Sequence, residues 1–383
     1  MLSAQVNDTT NGSAILYVAL ELSGKNWKIG INDGRRDRPS IYNADAEQPG
    51  RRFGETVAKI EAQKRKWELA GDCKVYVVYE AGQDGFWICR AMEAQGYQCL
   101  IADPASIPVN RHARRAKTDR LDTMLLLSSL MGYLRGDRNS MRAIRVPGEA
   151  DEDMRHVARS RGELQKEIGQ HRQRMSKLLK TVGNWDSVDG HFAERLKADE
   201  VCGYRGVPIK DELKKQLLDE CERLALAEKQ FAALERGMLA RLPQETQERV
   251  AKLERLKGVG KVGAMRLVLE LFWRKFNNRR ELGACIGLVP QPWDSGEMRS
   301  DQGISKQGNR RVRALLVEMA WMWLRYQSAS GLAQWFKDRT SGSGPNKRAR
   351  RIAIVAVARK LAIGLWRYLE HGVIPLEAVL KMA

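Results

Sequence analysis

The sequence predicts a multidomain fold, mixed α/β at its N-terminal end and largely α beyond it. Three patterns carry that expectation. Between residues 14 and 135, short β-branched and aromatic runs alternate with amphipathic helical stretches. Two later runs, 150–182 and 213–238, hold narrow apolar seams at three- and four-residue steps, as in a coiled coil. From Leu253 onward the period is helical, broken by Gly-rich interruptions. At 383 residues the chain has room for two or three domains of ~100–200 residues each. The divisions expected are 1–145, 146–248 and 249–383.

Residues 14–20 form a short apolar run and 27–31 alternate, with Ser23-Gly24-Lys25-Asn26 between them suited to a hairpin turn. A third strand is expected at 41–43. Val57, Ile60 and Trp67 fall on a helical period within 53–69, and 74–79 is a β-branched and aromatic strand. Helix returns at 84–95 and strand at 97–102, so hairpin strands and strand–helix–strand units share a mixed sheet. In the seams, Met154, Val157, Leu164, Ile168, Met175 and Leu178 are interrupted in register by Arg161 and His171. Leu213, Leu217, Leu224, Ala227, Phe231, Leu234 and Met238 answer them. An antiparallel or intermolecular coiled coil fits these narrow seams, and two helices of a plain bundle remain an alternative. Residues 183–208, rich in Gly and Asp, read as a loop with a short helix.

Charge narrows the class. The net charge is +19, and residues 249–383 alone hold 26 basic against 10 acidic residues. A surplus so placed favours a polyanionic partner. No run of eighteen apolar residues exists and residues 1–13 lack an apolar core, so neither a membrane span nor a signal peptide is expected. Six scattered cysteines without CxxC spacing argue against a zinc site and for a reducing cytoplasm.

Four constellations could carry chemistry. Glu21 and Glu80 stand at the ends of predicted strands, and Asp119 and Asp122 share a face where a helix begins. Carboxylates that converge repel unless a divalent cation, Mg²⁺ or Mn²⁺, sits among them. Solvated strand ends and helix capping explain each acid singly; the set of four, beside Arg111, Arg114, Arg115 and Lys117, favours a metal site. Leu256-Lys257-Gly258-Val259-Gly260-Lys261 has the pattern of a helix–hairpin–helix, whose amides can meet a phosphate. An ordinary glycine turn gives the same letters. Ser295, before a glycine in an expected loop, is a candidate nucleophile near Lys306, Arg310 and Arg311, although by itself it is one Ser-Gly turn among several, as at Ser341-Gly342. Lys347, Arg348, Arg350 and Arg351 form a run best explained by phosphate contacts.

Taken in order, Glu21, Glu80, Lys117-Thr118-Asp119 with Asp122, the seams, Leu256 to Gly260, Gly287-Leu288-Val289-Pro290, Ser295-Gly296 and Ile304-Ser305-Lys306 with Gly308 resemble the DEDD transposases. These are relatives of the pilin-gene-inverting recombinases and include insertion-sequence recombinases guided by a bridge RNA, also called seek RNA. The resemblance covers about residues 14–370. It implies a ribonuclease H-like domain of the RuvC resolvase type, in which Glu21, Glu80, Asp119 and Asp122 hold Mg²⁺. A coiled-coil insertion and a mostly helical transposase domain would follow, with Ser295 as the residue that links covalently to DNA. It implies donor and target double-stranded DNA, a structured noncoding guide RNA, and a dimer or tetramer joined through the coiled coil as partners. In one respect the sequence departs: the family's first acid is usually Asp, and Glu21 places its oxygens ~1.5 Å further out. The alternatives are a resolvase-like nuclease that hydrolyses with activated water, and a nucleic-acid-binding architectural protein with a decayed site.

Overall fold

The computed structural model describes residues 14–107, 118–295, 298–341 and 347–381. The chain divides into two compact units, Met1–Pro147 and Gly148–Ala383.

The first unit contains β1 (Ile15–Leu22), β2 (Trp27–Asn32), β3 (Ser40–Ala44), α1 (Pro49–Lys66), β4 (Lys74–Glu80), α2 (Trp87–Ala94), β5 (Gln98–Ala102), α3 (Asp119–Leu134) and β6 (Ala143–Ile144). They build one sheet in the order β3-β2-β1-β4-β5-β6. β1, β4 and β5 are parallel, while β2, β3 and β6 are antiparallel to their neighbours. Both faces are covered. Leu16, Val18 and Leu20 of β1 join Ile60 of α1 and Ile88 and Met92 of α2 in one core; Tyr17 and Ala19 face Leu126, Leu127 and Leu130 of α3 in the other. That two-sided burial explains why β1 reads as a continuous apolar run. α1 begins at Pro49, four residues before the expected start, because proline at the first helical position is already set for a helix.

The second unit holds α4 (Glu149–Thr181), α5 (Phe192–Lys197), α6 (Asp211–Gly237), α7 (Gln244–Glu254), α8 (Lys261–Glu270), α9 (Arg279–Ile286), β7 (Pro290–Ser295), β8 (Met298–Ile304), α10 (Arg310–Tyr326), α11 (Gly331–Ser341) and α12 (Lys347–His371). α4 and α6 pack antiparallel within one chain, burying Met175 and Leu179 against Leu217 and Leu224. The polar interruptions of the seam find partners there. Arg161 pairs with Glu235 at 2.6 Å and lies over the Phe231 ring. His171 Nδ1 donates to Glu220 at 2.6 Å, and Arg174 and Arg223 donate to the other Glu220 oxygen at 2.7 Å. Nearer its start, α4 reaches α8: Arg159 and Asn309 donate to the buried carboxylate of Glu270, and Arg155 lies over Trp273. Among the described residues no helix is long and apolar enough to cross a membrane.

Glu220 and Glu270 are buried, which alone pushes a carboxyl up, yet their donors hold both below the ordinary glutamate pKa of 4.5. A depressed folded-state pKa gives stability that is complete above 4.5 and lost as pH falls through the lower value. Unfolding free energy should therefore be level near neutrality and drop in acid, each group contributing up to about 1.4 kcal/mol per pH unit. Urea titrations between pH 3 and 7 should show a shallower acid limb for a Glu220→Gln, Glu270→Gln protein.

The β7–β8 ribbon was not expected from an otherwise helical period. Pro290 and Pro292 lack ladder N–H groups and disguise the strand, and the register shifts between them. Its base is interlocked with α9. Gly287 (φ +65°) ends that helix, and Asn309 N–H donates to Cys285 O at 2.9 Å. At Gly308 (φ +86°) a Cβ would fall 2.2 Å from the same Cys285 oxygen. Gly308→Ala should cost about 3 kcal/mol or more, from the left-handed backbone and a clash that backbone cannot relieve. Gly169→Ala, with open space around it in α4, should stabilise by roughly 0.5–1 kcal/mol. Denaturant midpoints of the two variants check both signs.

Candidate catalytic carboxylates and basic helix starts

The parallel register of β1 and β4 sets Leu20 opposite Tyr79, so Glu21 and Glu80 occupy the next row on neighbouring strands. Strand alternation puts Glu21 on the side of Tyr17 and Ala19, and Glu80 on the side of Tyr76 and Val78. That is the side α3 covers. α3 runs against β1, since Arg135 at its C-terminal end lies beside Gly34 and interacts with Tyr17. Its first turn, with Asp119 and Asp122, thus lies toward the strand ends that carry the two glutamates. Small residues permit the approach: Ala19 faces Gly30 across the ladder, and a Cβ on Gly30 would fall 2.7 Å from Thr123 Cγ2. Thr118 starts the helix by accepting from Leu121 N–H at 3.3 Å.

Glu21 is half-buried, Asp122 half-buried, and Glu80 and Asp119 exposed. The four present hard carboxylate oxygens on one face, the donor chemistry that Mg²⁺ or Mn²⁺ takes. Among the described residues, however, no three His, Cys, Asp or Glu side chains are gathered closely enough to hold a metal ion. The donors suit the ion in kind and in face, and a cage is not preformed.

Sequence reasoning missed three neighbours. Lys28 lies directly across from Glu21 on β2 and donates to Asn43 at 2.9 Å. A four-residue turn at 23–26 already pairs 21 with 28, so the signal was in the hairpin arithmetic. Arg52, only 4% exposed, donates to the carbonyls of Ser23, Gly24, Ala46 and Glu47 and so pins the β1–β2 turn just beyond Glu21. Asp103, which follows β5, is paired with Arg142 at 3.2 Å.

Ser295 was expected in an open loop. Instead it closes β7, paired with Met298 across the ribbon. Its side chain lies outside the described residues, as do Arg111, Arg114, Arg115 and Lys117. The acids belong to the first compact unit and Ser295 to the second.

The remaining basic candidates gather at helix starts. Lys257, Gly258 and Gly260 lead into α8, which opens on Lys261; Lys306 precedes α10, which opens on Arg310 and Arg311; Lys347, Arg348, Arg350 and Arg351 open α12. None of these three helices has an acid in its first turn, whereas α3, α4 and α6 do. A cation there opposes the helix dipole, which favours negative charge at that end. Cations suit a phosphate instead, most plainly at α8, whose Gly260 cap brings no side-chain acceptor; at α10 the Asn309 side chain already accepts from the Arg311 and Val312 N–H groups. Gly258 takes φ +89° in the α7–α8 connection, which is docked onto the protein itself: Gln327 donates to Lys257 O at 2.8 Å and Lys381 to Val259 O at 3.0 Å. Lys257 and Lys261 remain exposed on it.

Comparison with known proteins agrees on one class. Residues 250–356 match the family model described as "Transposase IS116/IS110/IS902 family", and residues 41–184 match a DEDD transposase model of the IS110 type. Glu80, Asp119 and Asp122 fall inside the second match, and Glu21 precedes it. A putative transposase of Sinorhizobium fredii, y4rJ, is 36% identical over 380 residues, covering 96% of this chain and 94% of its own. A second from that organism, y4qE, is 29% identical over 91% of this chain and 87% of its own. The transposase for insertion sequence element IS1533 of Leptospira borgpetersenii is 24% identical over 68% of this chain and 73% of its own.

Proposed function

The chain belongs to the IS116/IS110/IS902 transposase family, and from that membership we propose that it excises and inserts its element through a covalent serine–DNA link at Ser295. The observation that carries the reading is the shared face of the carboxylates: one row across the neighbouring strands β1 and β4 presents Glu21 and Glu80, and the first turn of α3 adds Asp119 and Asp122. A divalent cation bound among them, Mg²⁺ or Mn²⁺, would polarise the scissile phosphodiester.

The chain's own residues do the rest. The Ser295 hydroxyl attacks phosphorus and one bridging P–O bond breaks. The released DNA hydroxyl takes up a proton in place of the one serine gives up. A hydroxyl from the partner strand then reverses the step and frees the serine, so cleavage and rejoining need no outside energy source. The acids belong to the first unit and Ser295 to the second, so the proposed chemistry needs both units, from one chain or from two copies. A dimer or tetramer joined through the α4–α6 hairpin provides the second case. The cations at the starts of α8, α10 and α12 grip nucleic-acid backbone, while a structured noncoding RNA chooses the sites by base pairing with donor and target DNA.

The experiment is capture of the intermediate. Protein incubated with a DNA carrying the element's junction and Mg²⁺ should yield a denaturant-resistant adduct whose peptide map places the phosphodiester on Ser295. Cleaved DNA with no adduct would mean hydrolysis by activated water, the resolvase-like alternative. Guidance is read separately by sequencing RNA that copurifies: one discrete species from beside the gene supports it, and random RNA removed by salt contradicts it.

A further inference from the structure

A cavity of about 650 Å³ opens within the second unit between the start of α9, the base of the β7–β8 ribbon and one face of α12. Its rim is cationic, from Arg279, Arg280, Arg348, Arg351, Arg359 and Lys360, and among the described residues no acid lines it. Its floor is apolar, from Leu288, Ile304, Val355 and Ile363. Arg359 is half-buried, and its Nε has no hydrogen-bond partner among the described residues. A second hollow of about 420 Å³ shares Arg279, Lys360 and Ile363 and adds the Trp366 ring and Arg367. Together they follow α12 from Arg348 to His371, roughly 35 Å at the helical rise.

A ring of like charges around an apolar hollow calls for a ligand that is anionic at its edge and apolar at its centre. We infer that this groove holds a single strand of DNA, with phosphates on the arginine rim and unpaired bases against the floor and Trp366. The inference rests on the transposase reading, since strand exchange exposes unpaired DNA. A duplex keeps its base faces stacked and has nothing to offer a recessed apolar floor; a strand stacks its bases on apolar and aromatic surface. The sugar follows from the lining. The described residues that line the larger cavity offer no hydroxyl, amide or carboxylate side chain, so a ribose 2′-hydroxyl pressed onto them would find no side-chain acceptor for its proton.

The test uses the full chain and fluorescence anisotropy with a labelled 20-nucleotide DNA strand of mixed sequence, the same sequence as duplex, and the same sequence as RNA. The strand should bind more tightly than either. Ile352 lines the cavity and is 59% exposed, so Ile352→Asn alters groove chemistry without touching charge or core. It should weaken strand binding roughly tenfold and leave duplex binding within twofold. Arg280→Gln and Arg351→Gln should each lower the salt slope of strand binding by about 0.7, one phosphate contact apiece. Equal affinity for duplex, equal affinity for RNA, or no response to Ile352→Asn would each overturn the inference. The serine adduct is a separate readout: an adduct without strand preference sinks this groove alone, and strand preference without an adduct sinks the serine chemistry alone.

Discussion

Ser295→Ala should abolish both the covalent protein–DNA adduct and excision of the element, a loss of roughly 10³-fold or more, while duplex binding stays within twofold of the parent. The asymmetry follows from what is removed. One oxygen leaves, no charge changes, and position 295 is the last ladder position of β7, opposite Met298. The basic helix starts proposed to grip DNA are untouched. A protein that still cuts its junction after this change uses water, and the serine is then a bystander. Excision is measured by amplifying the resealed donor, the adduct by denaturing gel, and binding by anisotropy on one preparation.

Glu80→Gln should give a second large effect, on activity and not on stability. Strand exchange should fall by about 10²-fold or more, as expected when one member of a set that works together is lost. The thermal midpoint should stay level. Glu80 is exposed at the last position of β4, and the amide removes its charge at nearly unchanged volume. The change preserves the shape of β4, whose core contacts come from Val75, Val77 and Tyr79. A residue kept for structure shows the reverse, with stability falling first. Parallel melting curves and excision assays on Glu80→Gln and Asp122→Asn distinguish the two roles.

Much of this arrangement is legible in the sequence where chemistry is local. The strands around Val18 and Val77 announce themselves by β-branched runs, and the turn at 23–26 fixes which side of β1 faces which partner. The α4–α6 seam is legible too, down to the interruptions at Arg161 and His171, although its partners Glu235 and Glu220 are visible only in three dimensions. Other features are silent for physical reasons. Two prolines disguise β7, and β6 is two residues long and exists only as an answer to Ile101 and Ala102. The arginine-rimmed groove draws on segments near residues 280, 304 and 355, which no linear pattern joins. The carboxylate face lies between these extremes: each acid is visible at the end of its element, but sharing a face depends on a notch made by Ala19 and Gly30.

The buried meeting of His171, Arg174 and Glu220 has a mechanical consequence. Sliding α4 past α6 by even one turn would strand a carboxylate in apolar surroundings, so the hairpin cannot creep. Its longer arm has 33 residues, roughly 50 Å, which makes it an inextensible strut. Whatever grips the far tip, where Trp185 and Tyr204 stand exposed, is held at a constant span from the bundle at the base.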